Sequence, residues 1–123
     1  MNKYKTVEEV PVWQKAHELA LNVYKITKNF PHSETYGLTS QLRRSASSVP
    51  ANIAEDFYRN STKELLQFLY NARGSLGETS YHIRLSKDLK YIKDQESSFL
   101  KEYCDVVGKQ LNGWIKSLKT RLN

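Results

Sequence analysis

The chain has 123 residues, of which 39% are hydrophobic and 26% are charged, a composition that excludes a wholly disordered chain and fits one compact domain. Its single cysteine, Cys104, excludes an internal disulfide, and no apolar stretch is long enough to span a membrane. The 19 basic and 13 acidic residues give a net charge of +6, which can attract phosphate groups or simply keep the protein soluble. We expect a cytoplasmic protein without a signal peptide.

Apolar residues recur at steps of three and four along the chain, as they do on the buried faces of amphipathic helices. The first predicted helix covers residues 12–29. Pro11 precedes it, at a position where the missing N–H does no harm. Pro31 follows it closely and ends it, because the residue before a proline is pushed out of the helical region.

The second predicted helix covers residues 34–59, and Ser33 is its expected N-cap. Its apolar stripe resumes in phase after Pro50. We therefore predict a continuous helix with a kink at this proline, which removes one backbone hydrogen bond. The alternative is two shorter helices that are separated just before Pro50.

The third predicted helix covers residues 62–90, with Ser61 as the N-cap and Glu64 at the capping-box position. The fourth covers residues 95–122, and Asp94 is placed to cap it. Its apolar residues alternate steps of four and three, which gives a heptad-like seam. The seam residues are Leu100, Cys104, Val107, Leu111, Trp114, Leu118 and Leu122.

Each of these helices has to bury one apolar stripe, and short connections make antiparallel neighbours the simplest arrangement. Burial of one Leu or Phe side chain stabilises a fold by about 1.5–3 kcal/mol, so four stripes can offset the chain entropy. The sequence therefore predicts an all-α fold, an up-down antiparallel four-helix bundle with a proline kink in the second helix. We expect a single domain over residues 1–123.

Patterns typical of enzymes are absent from the sequence. His17-Glu18 begins like the HExxH zinc motif, but Leu21 stands where the second histidine ligand is required. Glu78 and His82 are four residues apart, whereas the Glu-x-x-His pairs of di-iron bundles are three apart. No P-loop or dinucleotide fingerprint occurs either. We predict a non-enzymatic protein with no catalytic residue, no bound metal and no cofactor.

Most of the surplus positive charge lies in the last third of the chain. Residues 84–123 hold 9 basic and 5 acidic residues, and no acid follows Asp105. The cations left unopposed are Lys109, Lys116, Lys119 and Arg121. We expect these cations, together with Arg43 and Arg44 of the second helix, to contact the phosphate backbone of RNA or DNA without reading its sequence.

Three segments carry a family resemblance: VWQKAHELALNVYKITKNFP (12–31), YGLTSQLRRSASSVPANIAED (36–56) and FLYNARGSLGET (68–79). They resemble the 23S rRNA-intervening-sequence proteins, a bacterial family of four-helix-bundle proteins. The resemblance covers about residues 10–95, and the SVPANIAE run is its most specific part. The family usually has glycine after NIAE, where this chain has Asp56, and this departure bears on where the second helix ends.

The resemblance implies a homo-oligomer in the form of a barrel-like pentamer, and a relation to accessory proteins of diversity-generating retroelements, whose basic surface binds nucleic acid. The 8 Tyr, 4 Phe and 2 Trp residues also favour self-association, because interfaces use such side chains. The leading hypothesis is a self-associating, non-enzymatic protein that binds nucleic acid through basic surface. The alternative is an oligomeric scaffold or adaptor that binds a protein partner, with its charge serving only solubility.

Overall fold

A computed structural model describes residues 3–122 of the chain, and within this range the protein has four α-helices and no strand. Two short 3₁₀ turns, Val7–Glu9 and His32–Glu34, precede the first and second helices. The four helices are α1 (Pro11–Thr27), α2 (Leu38–Phe57), α3 (Thr62–Asp88) and α4 (Asp94–Leu122).

The helices pack in the cyclic order α1, α2, α3, α4, and α4 closes the arrangement by packing against α1. The backbones of α2 and α4 are not neighbours over the described residues, so these helices lie diagonally across the bundle. Contacts between α3 and α4 run in opposite directions along the two helices, since Leu76 faces Gly108 and Arg73 bonds to Asn112. The predicted all-α four-helix bundle is confirmed.

The core is built from the apolar stripes that the sequence predicts, and its largest fully buried side chains come from all four helices. In α4, Leu100, Leu111 and most of the predicted seam are buried. Two seam residues are not, since Trp114 is only half-buried and Leu122 is 52% exposed. Ile115 takes the inner position instead, because a straight helix repeats every 3.6 residues and drifts away from a strict heptad.

Helix α2 begins at Leu38, four residues later than predicted, because a different side chain caps it. The Glu34 carboxylate accepts the Leu38 N–H at 3.0 Å, and the expected cap, Ser33, is exposed in the preceding 3₁₀ turn. Gly37 leaves room for this carboxylate, since a side chain at that position would meet Glu34 Oε1 at 2.7 Å. The N-cap prediction at Ser33 was wrong, whereas Ser61 caps α3 as predicted by accepting the Glu64 N–H.

The remaining boundaries differ from the sequence prediction by one to two residues. Helix α1 ends at Thr27, α2 at Phe57 and α3 at Asp88, and α4 begins at Asp94. Asp94 is therefore the first helical residue rather than the cap, and the Glu96 carboxylate accepts the Lys93 N–H at 2.9 Å.

Helix α2 passes through Pro50 without interruption, so the alternative of two shorter helices is wrong. Pro50 is buried, and Ser47 one turn before it donates its hydroxyl to the carbonyl of Arg44. A hydroxyl bond of this kind to a preceding carbonyl often accompanies a bent helix. The bend of the helix axis itself stays a prediction.

Candidate nucleic-acid interface

The four cations predicted on the last helix are exposed along α4. None of Lys109, Lys116, Lys119 and Arg121 forms an ion pair with any residue in the range 3–122. Their charges are left without acidic neighbours because no acid follows Asp105 in the chain. An unpaired surface cation keeps its full attraction for an external anion.

Three of these cations share one face of α4, because Lys109, Lys116 and Lys119 are separated by seven and three residues. The same face includes Asn112, whose side-chain oxygen accepts a hydrogen bond from Arg73 Nη1 of α3 at 3.2 Å. The structure thereby adds Arg73, which the sequence did not place beside α4, to the positively charged face.

The ring of Tyr70 in α3 is close to two cations from different helices. Arg73 Cζ is 5.2 Å from the centroid of the Tyr70 ring, and Lys119 Nζ is 5.8 Å from it. Both distances are within the range of cation–π attraction, so the ring holds the two charges near each other. We call Tyr70, Arg73, Lys109, Lys116 and Lys119 the α3/α4 basic surface.

The two arginines predicted on α2 lie apart from that surface. Arg43 is half-buried and ties α1 to α2, since its Nε donates to Thr27 Oγ1 at 2.8 Å and its Nη2 donates to the carbonyl of Tyr24 at 3.2 Å. Arg44 is exposed beside a hydroxyl-lined groove between α2 and α3. Because α2 is diagonal to α4, neither arginine joins the α3/α4 basic surface.

One end of the bundle contains a cavity of about 720 Å³, where α1 and α3 begin and α2 and α4 end. We call it the end cavity. Its apolar wall includes Phe57 and Trp114, and its cations are Lys3, Arg59 and Arg121. Arg121 therefore faces this cavity, whereas Lys119 contacts α3.

Asp56 lines the end cavity and is fully buried. Neither of its carboxyl oxygens has a hydrogen-bond partner among residues 3–122. This burial without partners raises the pKa of Asp56 from 3.8 to about 7. The sequence marked Asp56 only as a departure from the resembling family, and no periodic pattern separates a buried Asp at the end of a helix from an exposed one.

An apolar groove runs between α1 and α2 on the side of the bundle opposite the α3/α4 basic surface. Its volume is about 420 Å³, and Pro50 forms part of it. Two large side chains at this groove are exposed, Leu21 by 57% and Tyr24 by 44%. We call this feature the α1/α2 apolar groove.

Side chains that commonly bind metals are dispersed over the described residues, and the thiol of Cys104 lies in the core. No group of three or more His, Cys, Asp and Glu side chains in the range 3–122 is arranged to hold a metal ion. Cys104 is buried, and burial raises the pKa of its thiol, which disfavours the reactive thiolate. None of the helices described is long and apolar enough to cross a membrane.

Four packed helices with an unpaired basic face define a small basic helical-bundle protein. The model of the family described as 23S rRNA-intervening sequence protein matches residues 8–113, and the chain belongs to this family. A solved structure of a protein of unknown function from the S23 ribosomal protein family of Bacteroides thetaiotaomicron is similar, with a TM-score of 0.78 and 26% sequence identity. The match covers 85% of this chain and 98% of that chain. No protein of curated function matches.

Proposed function

We propose that this protein is a non-enzymatic, self-associating bundle that binds the phosphate backbone of RNA or DNA through the α3/α4 basic surface. The observation that carries the proposal is that Arg73 and Lys119 both lie close to the Tyr70 ring. None of the cations of this surface forms an ion pair with an acidic side chain among the described residues. Phosphate contacts supply the affinity of such surfaces, and an aromatic ring among them can stack on an unpaired base.

Sequence-independent binding is the expected mode. Lysine acts as a point charge toward phosphate, and the guanidinium of Arg73 can donate two parallel hydrogen bonds to it. The surface lies on helix flanks and not on a helix that projects outward to enter a groove. These properties favour contact with the backbone over reading of base edges.

Self-association is supported by the α1/α2 apolar groove. Exposed Leu21 and Tyr24 beside a groove with apolar walls are typical of a surface that another protein covers. We also propose that the assembly is a pentamer and that the protein is related to retroelement accessory proteins. Both proposals rest on the family resemblance alone.

The test is the salt dependence of binding to a labelled 20-nucleotide RNA or DNA, measured by fluorescence anisotropy. The variant Lys116→Glu/Lys119→Glu is expected to weaken binding to all sequences alike. Each lost phosphate contact flattens the log–log salt slope by about 0.7–0.9. Both side chains are exposed, so the fold is expected to persist.

The matched control is Lys25→Glu/Lys28→Glu, which changes the net charge equally at the opposite end of the bundle, where both lysines are exposed at the end of α1. This control is expected to keep the salt slope of the unaltered protein. An equal loss in both double variants would contradict a defined basic surface.

A scaffold for a protein partner is the second candidate, and the observation that favours it is a set of large side chains exposed outside the α1/α2 apolar groove, Tyr58, Tyr81 and Phe99. Absence of binding to RNA and DNA at low salt, with self-association intact, would favour this candidate over the first. In that case the positive charge would serve solubility.

A further inference from the structure

We propose that the end cavity binds a guanine base that carries a phosphate group, and that Asp56 is the residue that recognises the base. The phosphate-bearing guanine has two sources, a free guanine nucleotide or a guanosine within a single strand. The strand form rests on the proposed function above, whereas the free-nucleotide form does not.

The buried Asp56 side chain destabilises the fold when no ligand is bound. A buried polar group without a hydrogen-bond partner destabilises a fold by about 1–3 kcal/mol, and a buried charge costs more. Two vacant acceptor oxygens on one side chain are therefore unusual in a closed core. Asp56 is one of the residues that line a cavity, and this indicates an external donor.

The chemistry of that donor follows from the carboxylate. Its two oxygens are parallel acceptors, which are matched by two donors that point the same way. The Watson–Crick edge of guanine presents such a pair, the N1–H and the N2 amino group. Adenine presents an acceptor nitrogen at the corresponding ring position, which a carboxylate repels.

The walls of the end cavity suit the rest of such a ligand. Phe57, Leu65 and Trp114 supply apolar surface for a flat ring. The volume of about 720 Å³ lies within the range of small-molecule sites, about 300–1,000 Å³. A nucleotide therefore fits by both size and polarity.

The cations of the end cavity select a ligand with an anionic group. The Arg59 guanidinium forms ion pairs with the carboxylates of Glu55 at 2.9 Å and Glu64 at 3.7 Å, so its charge is largely compensated. Lys3 and Arg121 form no ion pair within the described chain and are exposed. Together they repel a purely cationic donor, such as an amine or an arginine side chain, and attract a phosphate.

Access of a ligand to the Asp56 oxygens requires a rearrangement of side chains. The Asp56 oxygens are inaccessible to solvent in this state, but Lys3 and Arg59 at the cavity have exposed side chains that can move. Because no hydrogen bond holds the Asp56 carboxyl, its own side chain can rotate without breaking one. The association rate constant is thus expected to lie below the diffusion limit.

The experiment measures binding of GMP and AMP to the full chain by titration calorimetry at pH 8, above the pKa of about 7 for Asp56, so that its carboxyl is ionised. GMP is expected to bind at least about tenfold more tightly than AMP, as hydrogen bonds to a charged group are worth about 1.5–3 kcal/mol. IMP, which lacks the N2 amino group, is expected to fall between them. Asp56→Asn keeps the size of the side chain and is expected to abolish the preference for GMP.

The matched control is Asp105→Asn, which makes the same change at an exposed position of α4 and is expected to keep the preference. Circular dichroism checks that both variants are folded. Equal affinities for GMP and AMP, or a preference for GMP that survives Asp56→Asn, would overturn the proposal.

Binding of single strands distinguishes a free nucleotide from a guanosine within a strand. It also distinguishes the end cavity from the α3/α4 basic surface. An 11-nucleotide oligouridine with one central guanosine is compared with the same strand carrying a central adenosine. If the guanosine strand binds more tightly than the adenosine strand, the ligand of the end cavity is a guanosine within a strand. If only GMP is preferred over AMP and the two strands bind equally, the ligand is a free nucleotide. Lys116→Glu/Lys119→Glu is expected to lose strand binding and keep GMP binding, so failure of either proposal is visible without the other.

Discussion

Replacement of Asp56 by asparagine should change how the stability of the bundle depends on pH. Asp56 is fully buried with no hydrogen-bond partner among the described residues, and its burial raises its pKa from 3.8 to about 7. The folded protein therefore holds this proton to a higher pH than the unfolded chain. Over that interval the free energy of unfolding falls as the pH rises, because the folded state binds more protons.

The magnitude follows from the two pKa values. Their difference corresponds to up to about 4 kcal/mol of stability that is present below pH 4 and lost by about pH 7. This loss is a large fraction of the 5–15 kcal/mol that roughly spans the stability of ordinary domains. Asparagine has nearly the same shape but no charge, so Asp56→Asn should be the more stable protein at pH 8 and lose its advantage toward pH 4.

The assay is urea unfolding of both proteins at pH 4, 6 and 8, followed by circular dichroism. The difference between the two proteins isolates Asp56, since all other titrating groups are common to both. The slope with urea should be the same in both proteins, which shows that the unfolded states are comparable. Parallel dependence of the two stabilities on pH would refute the reasoning, because Asp56 would then be ionised in the folded protein at little cost.

Three further predictions concern other features of the bundle. Leu21→Glu, in the α1/α2 apolar groove, should reduce the mass measured by light scattering, and a monomeric unaltered protein at micromolar concentration would contradict self-association. Pro50→Ala should keep the helix content while changing assembly or stability, and no change in either would show that a kink has no architectural role. The pKa of Glu34 is lowered by its bonds from the Leu38 N–H and the Tyr91 hydroxyl, so it stabilises the fold above its unfolded pKa. That contribution is lost as the pH falls through the lower folded value, and Glu34→Gln should reduce the difference in melting temperature between pH 7 and pH 3.

Much of the fold can be predicted from the sequence because local periodicity determines which face of each helix is buried. The stripe from Leu38 to Phe57 continues in phase across Pro50, and the structure has one helix there. The N-cap at Ser61 is a local signal and is also correct. The cap of α2 is different, because Glu34 reaches the Leu38 N–H from a 3₁₀ turn, and Gly37 leaves the room that its carboxylate occupies.

The candidate sites depend on contacts that no local pattern contains. Tyr70 and Lys119 are 49 positions apart, and they meet only because α3 and α4 run antiparallel in one particular register. Arg43 and Arg44 are adjacent and cannot be distinguished by residue type. Arg43 nevertheless bonds to a carbonyl at the end of α1, whereas Arg44 is exposed. The burial of Asp56 likewise depends on the end of the bundle, where segments distant in the sequence converge.

The opposite placement of the α1/α2 apolar groove and the α3/α4 basic surface has a consequence for valency. If copies associate through the groove as proposed, the basic surface of every copy faces outward. A strand long enough to reach a second copy would bind there at a high effective concentration, and its overall affinity would rise without any new kind of contact. A short strand would contact one copy only and dissociate quickly. The assembly would then bind long nucleic acids more tightly than short ones, although a single basic surface does not distinguish strands by length.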